Sequence, residues 1–299
     1  MKLGVDLGGT KIEGVLLDDA GAIAARRRVP TPAGDYEATV RAVAQLVAEL
    51  EAERGAATSI GIGTPGALRP RAQTLKNSNS TCLNDRPLKR DLEAALGRPI
   101  ALANDADCFA LSEATDGAGQ GRASVFGVIL GTGVGGGWVL HGRLAAGPNA
   151  IAGEWGHTPL PWPADDERPG PACYCGRHGC VETWVSGPAL AADHVRHGGA
   201  AIDVAAIGAA AADGDPDAID TLQRWDGRLA RGLAVVIDIV DPDIVVLGGG
   251  LSNLPSLTDR LPGLVSRWVF SDELRTEFAV AKYGDSSGVR GAAWLGAAG

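Results

Sequence analysis

The chain has 299 residues, 45% of them hydrophobic, and a formal net charge of -9. This length is enough to bury a sizeable core and usually forms two domains, and the acidic balance argues against nucleic acid as the main partner. No apolar run is long enough to span a bilayer, and Met1 leads into a short strand rather than a signal peptide. We therefore expect a soluble, cytoplasmic α/β protein.

The first predicted element is a pair of strands joined by a glycine-rich turn. Hydrophobic residues alternate from Leu3 to Leu7, the strand pattern resumes from Ile12 to Leu17 after the turn at 8–11, and a third strand covers 22–29. Backbone N–H groups in such a turn bind phosphate oxygens. The carboxylate of Asp6 at its mouth would hold Mg²⁺, directly or through water. The alternative is a tight hairpin in which Asp6 only caps the turn.

Helices and strands alternate in the next part of the chain. The predicted elements are a helix over 35–53, a buried strand over 59–63, a helix over 87–96 and a strand over 99–103. The segment 77–81 between them is rich in amide and hydroxyl groups. By itself it indicates a loop, and beside a sugar site it would bind sugar hydroxyls.

Asp105 lies after the strand over 99–103 and before a helix predicted over 106–115. Ligands of open α/β sheets bind at the carboxyl ends of strands, so Asp105 is our candidate general base. The alternative is a helix N-cap, which is the commonest use of aspartate at such a position.

A second glycine-rich segment, residues 131–137, directly follows a strand predicted over 124–130. Gly131, Gly133 and Gly136 match the G-x-G-x-x-G pattern of dinucleotide-binding folds. That pattern requires a helix immediately afterwards, whereas the following residues are strand-like. The segment instead repeats the strand, turn and strand at the start of the chain. Two such turns suggest a nucleotide held between two related domains.

Three of the five cysteines lie within eight residues with the spacing C-x-C-x4-C: Cys173, Cys175 and Cys180. Three thiolates leave one position of a tetrahedral structural zinc site, and His157 would complete it. His178 is a rival fourth ligand inside the cysteine loop. The alternative is a disulfide between two of the cysteines, which suits an exported protein better than an intracellular one. We predict zinc, next to a pocket lined by Glu154, His157 and Glu182.

The remaining chain is mainly helical. The predicted helices cover 188–196, 204–212, 216–240, 255–269 and 289–295, and the predicted strands cover 243–247 and 277–282. Gly248, Gly249 and Gly250 follow the first of these strands and would let a flat ring approach the backbone closely.

Together these motifs resemble the ROK sugar kinases. The matching segments are Asp6-x-Gly8-Gly9-Thr10-Lys11, Asn104-Asp105, Gly131-Thr132-Gly133-x-Gly135-Gly136-Gly137, Glu154-x-Gly156-His157, the run from Cys173 to Glu182, and Leu247-Gly248-Gly249-Gly250. Within the family the chain is similar to the bacterial fructokinases, also called manno(fructo)kinases, especially over 76–81, 153–162 and 284–295. The resemblance implies a two-domain, actin-like ATPase (ribonuclease H-like) sugar kinase fold of the α/β class, with a cleft between the domains. It places a small domain at 1–116 plus 285–299 and a large domain at 117–284.

The resemblance also implies roles for individual residues, with Asp105 as the catalytic base. The sugar contacts would be Gly66, Asn79, Asn104, Asp105, Glu154, His157 and Glu182. The ATP contacts would be Gly4, Val5, Asp6, Leu7, Gly8, Gly9, Thr10, Lys11, Gly131, Thr132, Gly133, Val134, Gly135, Gly136, Gly137, Gly248, Gly249 and Gly250. The metal ligands would be His157, Cys173, Cys175 and Cys180 for structural Zn²⁺, and Asp6 for Mg²⁺.

Two positions depart from the family pattern. Asp107 stands where many relatives have asparagine, and its charge would raise the pKa of Asp105 if the side chain turned inward. Cys82 stands where close relatives carry a large aromatic residue, so the resemblance does not define the fit of the sugar on that side.

The activity that the resemblance implies is transfer of the ATP γ-phosphate to the 6-hydroxyl of D-fructose, with some use of mannose. The alternatives are a ROK kinase for glucose or N-acetylated hexoses, a non-enzymatic sugar-sensing regulator, and an oxidoreductase built on residues 131–136. Relatives are often dimers, so a homodimer is expected. The preferred hexose depends on pocket shape, which the sequence does not define.

Overall fold

The computed structural model of the protein describes residues 1–297. The strands are β1 (Lys2–Leu7), β2 (Lys11–Leu17), β3 (Ile23–Pro30), β4 (Ser59–Thr64), β5 (Ala67–Leu68), β6 (Leu75–Lys76), β7 (Ala101–Asn104), β8 (Ser124–Leu130), β9 (Val134–Leu140), β10 (Arg143–Leu144), β11 (Ile244–Gly248) and β12 (Glu277–Val280). The helices are α1 (Tyr36–Arg54), α2 (Leu88–Leu96), α3 (Asp105–Thr115), α4 (Glu182–Val185), α5 (Gly187–Arg196), α6 (Val204–Ala212), α7 (Pro216–Val240), α8 (Leu257–Val265) and α9 (Ser287–Ala297). Among these helices, none is both long and apolar enough to cross a membrane.

The described chain divides into two compact units, each assembled from separate segments. The first unit contains residues 1–121, 137–152 and the chain from Lys282 onward, and the second contains 122–136 and 153–281. The domain limits expected from the sequence, after residues 116 and 284, stay a prediction.

The first unit is built on a five-stranded sheet with the order β3-β2-β1-β4-β7. β1 pairs antiparallel with β2 and parallel with β4, and β4 pairs parallel with β7. The carboxyl ends of the three parallel strands, at Leu7, Thr64 and Asn104, therefore meet at one edge of the sheet. In the antiparallel pair, Asp6 lies opposite Glu13. The polar motifs of the first unit are thus gathered at the edge where α/β sheets bind ligands.

Small residues bring α9 very close to the sheet and to α3. A Cβ atom on Gly61 of β4 would lie 1.9 Å from the carbonyl oxygen of Ala292, and one on Gly291 would lie 1.6 Å from the carbonyl oxygen of Cys108. Only glycine allows backbones to approach so closely. Because α3 begins at Asp105, this packing helps to fix the position of the candidate base.

The apolar core of the first unit involves the sheet, α1 and α2. Its buried residues include Leu3, Val5, Leu7, Val43, Leu46, Leu50, Ile62 and Leu88. Burial of a side chain of this size contributes about 1.5–3 kcal/mol. The strand that carries Asp6 is therefore held firmly between its neighbours.

The second unit contains β8, β11 and β12, with β11 parallel to both of its neighbours. Helix α7 begins after Asp215, whose side chain accepts a hydrogen bond from the backbone N–H of Ala218, and Pro216 occupies its first turn. Trp225 and Leu229 of this helix are buried. The sequence signals for this 25-residue helix are thus a side-chain cap, an N-terminal proline and an apolar stripe.

A buried ion-pair network fastens the loop over 158–171 to α7. Glu167 accepts hydrogen bonds of 2.8 Å from Arg228 Nε and from both Arg231 Nη1 and Nη2. Arg228 also bonds to Asp193 at 2.9 Å. Burial alone would raise the pKa of Glu167, but the hydrogen bonds from Arg231 and Arg228 outweigh it and lower the pKa to about 2. The network therefore anchors the loop that leads into the cysteine cluster.

Candidate functional site

The four side chains expected to bind zinc lie together in the second unit. One ligand atom from each of His157, Cys173, Cys175 and Cys180 lies within 4.8 Å of all the others. The Nδ1 atom of His157 is 3.5 Å from Cys173 Sγ, and Cys175 Sγ is 3.6 Å from Cys180 Sγ. All five cysteines of the chain are free thiols in this structure, and His178 is not a member of the cluster.

The separations of 3.5 Å and 3.6 Å fit a zinc ion. Tetrahedral coordination with Zn–S bonds of about 2.3 Å and Zn–N bonds of about 2.0 Å places neighbouring ligand atoms about 3.5–3.8 Å apart. The two distances above fall in or next to this range. The residues present are therefore suited to hold Zn²⁺ in a closed Cys3His arrangement, although the identity of the ion stays a prediction.

Two glycines shape the loop that gathers the thiols. Gly176 has φ 86° and Gly179 has φ 69°, a region that other residues adopt only with strain. The backbone N–H of Cys173 donates to the carbonyl of Arg177, and Pro159 forms an isolated bridge with Cys180. The segment that carries His157 is thus linked through the backbone to the segment that carries the last cysteine.

The second nitrogen of His157 is already engaged. Its Nε2 atom lies 2.8 Å from the hydroxyl oxygen of Tyr174, and the two rings meet edge to face at 5.0 Å. Desolvation of the hydroxyl and the negative charges of Glu182 and Glu154 raise the pKa of Tyr174 to about 12, although the residue as a whole is 75% exposed. His157 was expected from the sequence both to ligate zinc and to contact the sugar, and Tyr174 was not expected to contact His157. The available signal was its place between two cysteines.

Glu182 contacts the second glycine-rich turn. Its Oε2 atom accepts a 2.9 Å hydrogen bond from the backbone N–H of Val134, and a Cβ on Gly133 would lie 2.7 Å from the same oxygen. The turn itself is closed by a hydrogen bond from the N–H of Gly131 to the carbonyl of Gly133. Glu154 precedes a short 3-10 turn whose Trp155 donates to the carbonyl of Gly135. The carboxylate of Glu182 is therefore bonded directly to the turn expected to bind phosphate, and Glu154 lies next to a residue, Trp155, that bonds to the strand after the turn.

The structure shortens both glycine-rich turns relative to the sequence analysis. Lys11 already belongs to β2, and Gly135, Gly136 and Gly137 lie inside β9, with Thr132 at the turn between β8 and β9. Gly4, Val5 and Leu7, which were expected to contact ATP, lie inside β1, the strand that the sequence predicted. A strand rather than a helix follows Gly131, as expected, so the dinucleotide pattern lacks its helix. Gly248 ends β11, and Gly249 has φ 81° next to the backbone of Leu130, while Gly250 begins a 3-10 turn.

In the first unit, the negative charge of Asp105 affects the pKa of Asp6. Burial, and after it the negative charges of Asp105 and Glu13, raise the pKa of Asp6 to about 6. The turn after Asp6 is closed by a 3.0 Å hydrogen bond from the N–H of Gly8 to the carbonyl of Lys11. A buried carboxylate in such a negative environment is suited to a hard divalent cation such as Mg²⁺, which would offset the charge.

Glu13 was missed by the sequence analysis. It is buried, and its carboxylate accepts hydrogen bonds from Arg26 at 2.5 Å and from Arg28 at 2.7 Å. The signal was available, because an acidic residue on β2 faces the same side of the sheet as Asp6, its partner on β1.

Asn104 is the N-cap of α3, and the carboxylate of Asp105 also accepts from the N–H of Ala106, at 2.8 Å. The side-chain oxygen of Asn104 accepts from the N–H of Ala106 at 2.8 Å, and its side-chain nitrogen donates to the carbonyl of Gly66 at 2.9 Å. Asp105 is the first residue of the helix. Gly66 has φ 82°, and a Cβ there would lie 2.4 Å from the carbonyl oxygen of Lys76. Three of the expected sugar-binding residues are therefore brought together by one amide side chain.

Asn79 lines a cavity of about 310 Å³ in the first unit. The cavity is bordered by Gly8, Gly9 and Thr10 of the first turn and by Cys82. Asn79 thus lies beside the turn expected to bind phosphate. Cys82, which stands where close relatives carry a large aromatic residue, lines the same cavity.

Comparisons with known proteins identify the family. The model of the ROK family matches residues 2–298. The chain is 39% identical to an N-acetyl-D-glucosamine kinase of Vibrio parahaemolyticus and 40% identical to that of Escherichia coli K12, with 99% of both chains covered in each case. These relatives do not support the more specific resemblance to fructokinases.

Solved structures agree with this assignment. A ROK hexokinase from Thermus thermophilus superposes with a TM-score of 0.88 at 34% identity and covers 100% of this chain and 98% of its own. A ROK family glucokinase from Streptomyces griseus, in complex with glucose and AMPPNP, gives 0.80 at 30% identity, with 100% and 99% covered. The chain therefore belongs to the ROK family and is an ATP-dependent sugar kinase with the two-domain, actin-like α/β fold of that family.

Proposed function

We propose that this kinase transfers the γ-phosphoryl group of ATP to the 6-hydroxyl of N-acetyl-D-glucosamine. The observation that carries the proposal is the 39–40% identity, over 99% of both chains, to proteins named N-acetyl-D-glucosamine kinase. The family resemblance of the sequence favoured fructose, with N-acetylated hexoses as an alternative. The relatives favour that alternative, so fructose is not retained as the proposed substrate.

In the first unit, Asp105 would act as the general base. A sugar hydroxyl is a weak nucleophile, and a carboxylate that accepts its proton during transfer makes it a better one. Phosphoryl transfer makes few covalent demands on the protein, so positioning and charge neutralisation account for most of the rate increase. Gly66 and Asn104, which are joined by a hydrogen bond, would orient the sugar next to this base. Mg²⁺ at Asp6 would balance the charge of the phosphates.

In the second unit, Glu154 and Glu182 would accept hydrogen bonds from the sugar. N-Acetyl-D-glucosamine offers several hydroxyl donors and one amide N–H, all of which a carboxylate can accept. His157 would contact the sugar through Nε2, since its Nδ1 belongs to the cysteine cluster. Zn²⁺ in that cluster would act structurally, by holding the loop that carries His157.

A coupled assay of ADP release over a panel of sugars tests the proposal. The panel contains N-acetyl-D-glucosamine, N-acetyl-D-mannosamine, glucose, mannose and fructose, and phosphorus NMR of the product identifies the phosphorylated hydroxyl. We expect kcat/KM for N-acetyl-D-glucosamine to exceed that of glucose, mannose and fructose by at least about tenfold, because a site that hydrogen-bonds an amide discriminates against sugars without one. N-Acetyl-D-mannosamine keeps the amide but carries it in the opposite orientation at C2, so it tests the geometry of that contact. A higher kcat/KM for fructose or glucose would refute the substrate assignment.

The assembly of the enzyme is a separate proposal. The family resemblance implies a homodimer, which sedimentation velocity at several protein concentrations would test. A single species with the 30.5 kDa mass of one chain would refute it.

A further inference from the structure

Tyr174 is the hydrogen-bond partner of His157 Nε2, the nitrogen that the proposed function assigns to the sugar. Its hydroxyl oxygen lies 2.8 Å from His157 Nε2. The ring meets the imidazole edge to face at 5.0 Å, while the residue as a whole is 75% exposed. The charges of Glu182 and Glu154, the two carboxylates proposed to bind the sugar, act on the same hydroxyl. A tyrosine hydroxyl therefore stands among the groups expected to recognise a sugar hydroxyl.

We infer that Tyr174 is a displaceable cover of the sugar site, which hydrogen-bonds to His157 Nε2 in the sugar-free protein and gives way to a hydroxyl of the incoming hexose. The inference rests on the proposed function, because it requires that the sugar bind at His157. It assigns to Tyr174 a role in sugar affinity and none in the chemical step.

The imidazole of His157 can bond to the Tyr174 hydroxyl or to a sugar hydroxyl, but not to both at once. With Nδ1 directed at the thiol cluster, Nε2 is the nitrogen left to carry the ring N–H. One N–H donates one good hydrogen bond. A tyrosine hydroxyl and a sugar hydroxyl are both acceptors for that N–H and donors toward a carboxylate, so either can satisfy the site.

Because Tyr174 is exposed, moving its ring away from His157 requires little free energy. Glycines with positive φ follow it at Gly176 and Gly179, and most of its side chain lies in solvent, so its ring can rotate away without opening a buried cavity. The bond to His157 nevertheless has to be broken. A hydrogen bond of this kind changes an equilibrium constant about two- to tenfold, and the apparent affinity for the sugar is the intrinsic affinity multiplied by the fraction of molecules in which the site is uncovered.

The variant Tyr174→Phe tests the inference, because it keeps the ring and removes the hydroxyl. Tyr283→Phe is the matched control, since the Tyr283 hydroxyl bonds to the carbonyl of Asp116 in the first unit. For the wild type and both variants we would measure the Kd of N-acetyl-D-glucosamine by calorimetry without nucleotide, kcat and KM by the coupled assay, and zinc per chain by mass spectrometry. We expect Tyr174→Phe to lower the sugar Kd about two- to tenfold, with kcat, the KM for ATP and the zinc content unchanged, and Tyr283→Phe to match the wild type.

The other outcomes overturn the inference in distinguishable ways. An unchanged or raised sugar Kd with zinc retained would show that Tyr174 is neutral or is itself a sugar contact. A loss of zinc in Tyr174→Phe would show that the hydroxyl serves the cysteine cluster. If the wild type bound no sugar of the panel, the proposed function and the inference would both fail. If it bound a different hexose, only the proposed substrate would fail, and the same comparison made with that hexose would decide the role of Tyr174.

Discussion

Asn104 joins the start of α3 to the loop at Gly66 through a single side chain. Its amide oxygen caps the helix at Ala106, and its amide nitrogen donates to the Gly66 carbonyl at 2.9 Å. Asn104, the residue directly before the candidate base Asp105, thus also fixes the position of Gly66, an expected sugar contact.

Substitutions of Asn104 should separate its capping of α3 from its hydrogen bond to Gly66. Asn104→Ala loses both bonds, and we expect it to lower the free energy of unfolding by about 1–2 kcal/mol and to lower kcat/KM for the sugar. Asn104→Asp keeps an oxygen for the cap but cannot donate to Gly66, so it should retain more stability than alanine with a similar loss of kcat/KM. Urea unfolding and steady-state kinetics measure both effects. Equal stability of the two variants would contradict the capping role.

Asp105→Asn should abolish phosphoryl transfer. Removing the carboxylate removes the proton acceptor, and general-base catalysis is worth about 10²–10⁴-fold in rate. Sugar and ATP should still bind, as measured by calorimetry, because the substitution is isosteric. Asp213→Asn, at an exposed position after α6, is the matched control and should keep full activity. A kcat of Asp105→Asn near that of the wild type would refute the assignment of the base.

Cys175→Ser should release the metal of the cysteine cluster. Loss of one thiolate leaves three of the four ligands, and structural zinc sites require all four. Because His157 belongs to the cluster, we expect the KM for the sugar to rise more than the KM for ATP. Cys82→Ser, outside the cluster, should keep one zinc per chain. Metal analysis of both variants provides the measurement, and full zinc retention in Cys175→Ser would contradict the ligand set.

The stability of the second unit should fall in acid through Glu167. Its pKa in the folded protein, about 2, lies below the ordinary value of 4.5. A lowered folded pKa contributes stability that is fully present above pH 4.5 and is lost as the pH falls from there toward 2. The shift corresponds to about 3 kcal/mol.

Glu167→Gln tests this contribution. At pH 7 the variant should unfold at lower urea concentration than the wild type, because Arg228 and Arg231 lose a buried partner. Between pH 5 and about pH 3 it should lose less further stability than the wild type. Glu273→Gln, at an exposed position, should follow the wild type at every pH. Parallel acid profiles for Glu167→Gln and the wild type would exclude this role.

Gly291→Ala should destabilise the first unit strongly. Its new Cβ would lie 1.6 Å from the carbonyl oxygen of Cys108, so α9 would have to move away from α3. Overpacking of this kind costs about 1–3 kcal/mol or more. Gly263→Ala, inside α8 with no atom within 4 Å of the added Cβ, should instead raise the Tm, since alanine is the better helix former. Thermal unfolding distinguishes the two.

Local features of this protein could be predicted from its sequence, and so could the pairing of His157 with the cysteine cluster, because three thiolates leave one zinc position for a histidine. Other pairings between separate segments could not. The cysteine spacing and its two glycines indicate a compact cluster because a few residues of backbone determine it. The sequence offered a capping role for Asp105 only as an alternative to general base, and in the structure Asn104 and Asp105 both accept from the N–H of Ala106, since both residue types are good caps. The bonds between Val134 and Glu182 and between His157 and Tyr174 depend on how separate segments pack, and no periodicity or spacing specifies such contacts.

The carboxylate of Glu182 is shared between two tasks, because one of its oxygens accepts the backbone N–H of Val134. A hexose hydroxyl that donates to Glu182 would shift the carboxylate and so change its hydrogen bond with the N–H of Val134. A phosphate bound at the turn would in the same way change the position of the carboxylate available to the hexose. Under the proposed function, the affinity for one substrate should therefore depend on the presence of the other. Thermodynamic reciprocity requires the two dependences to be equal in size.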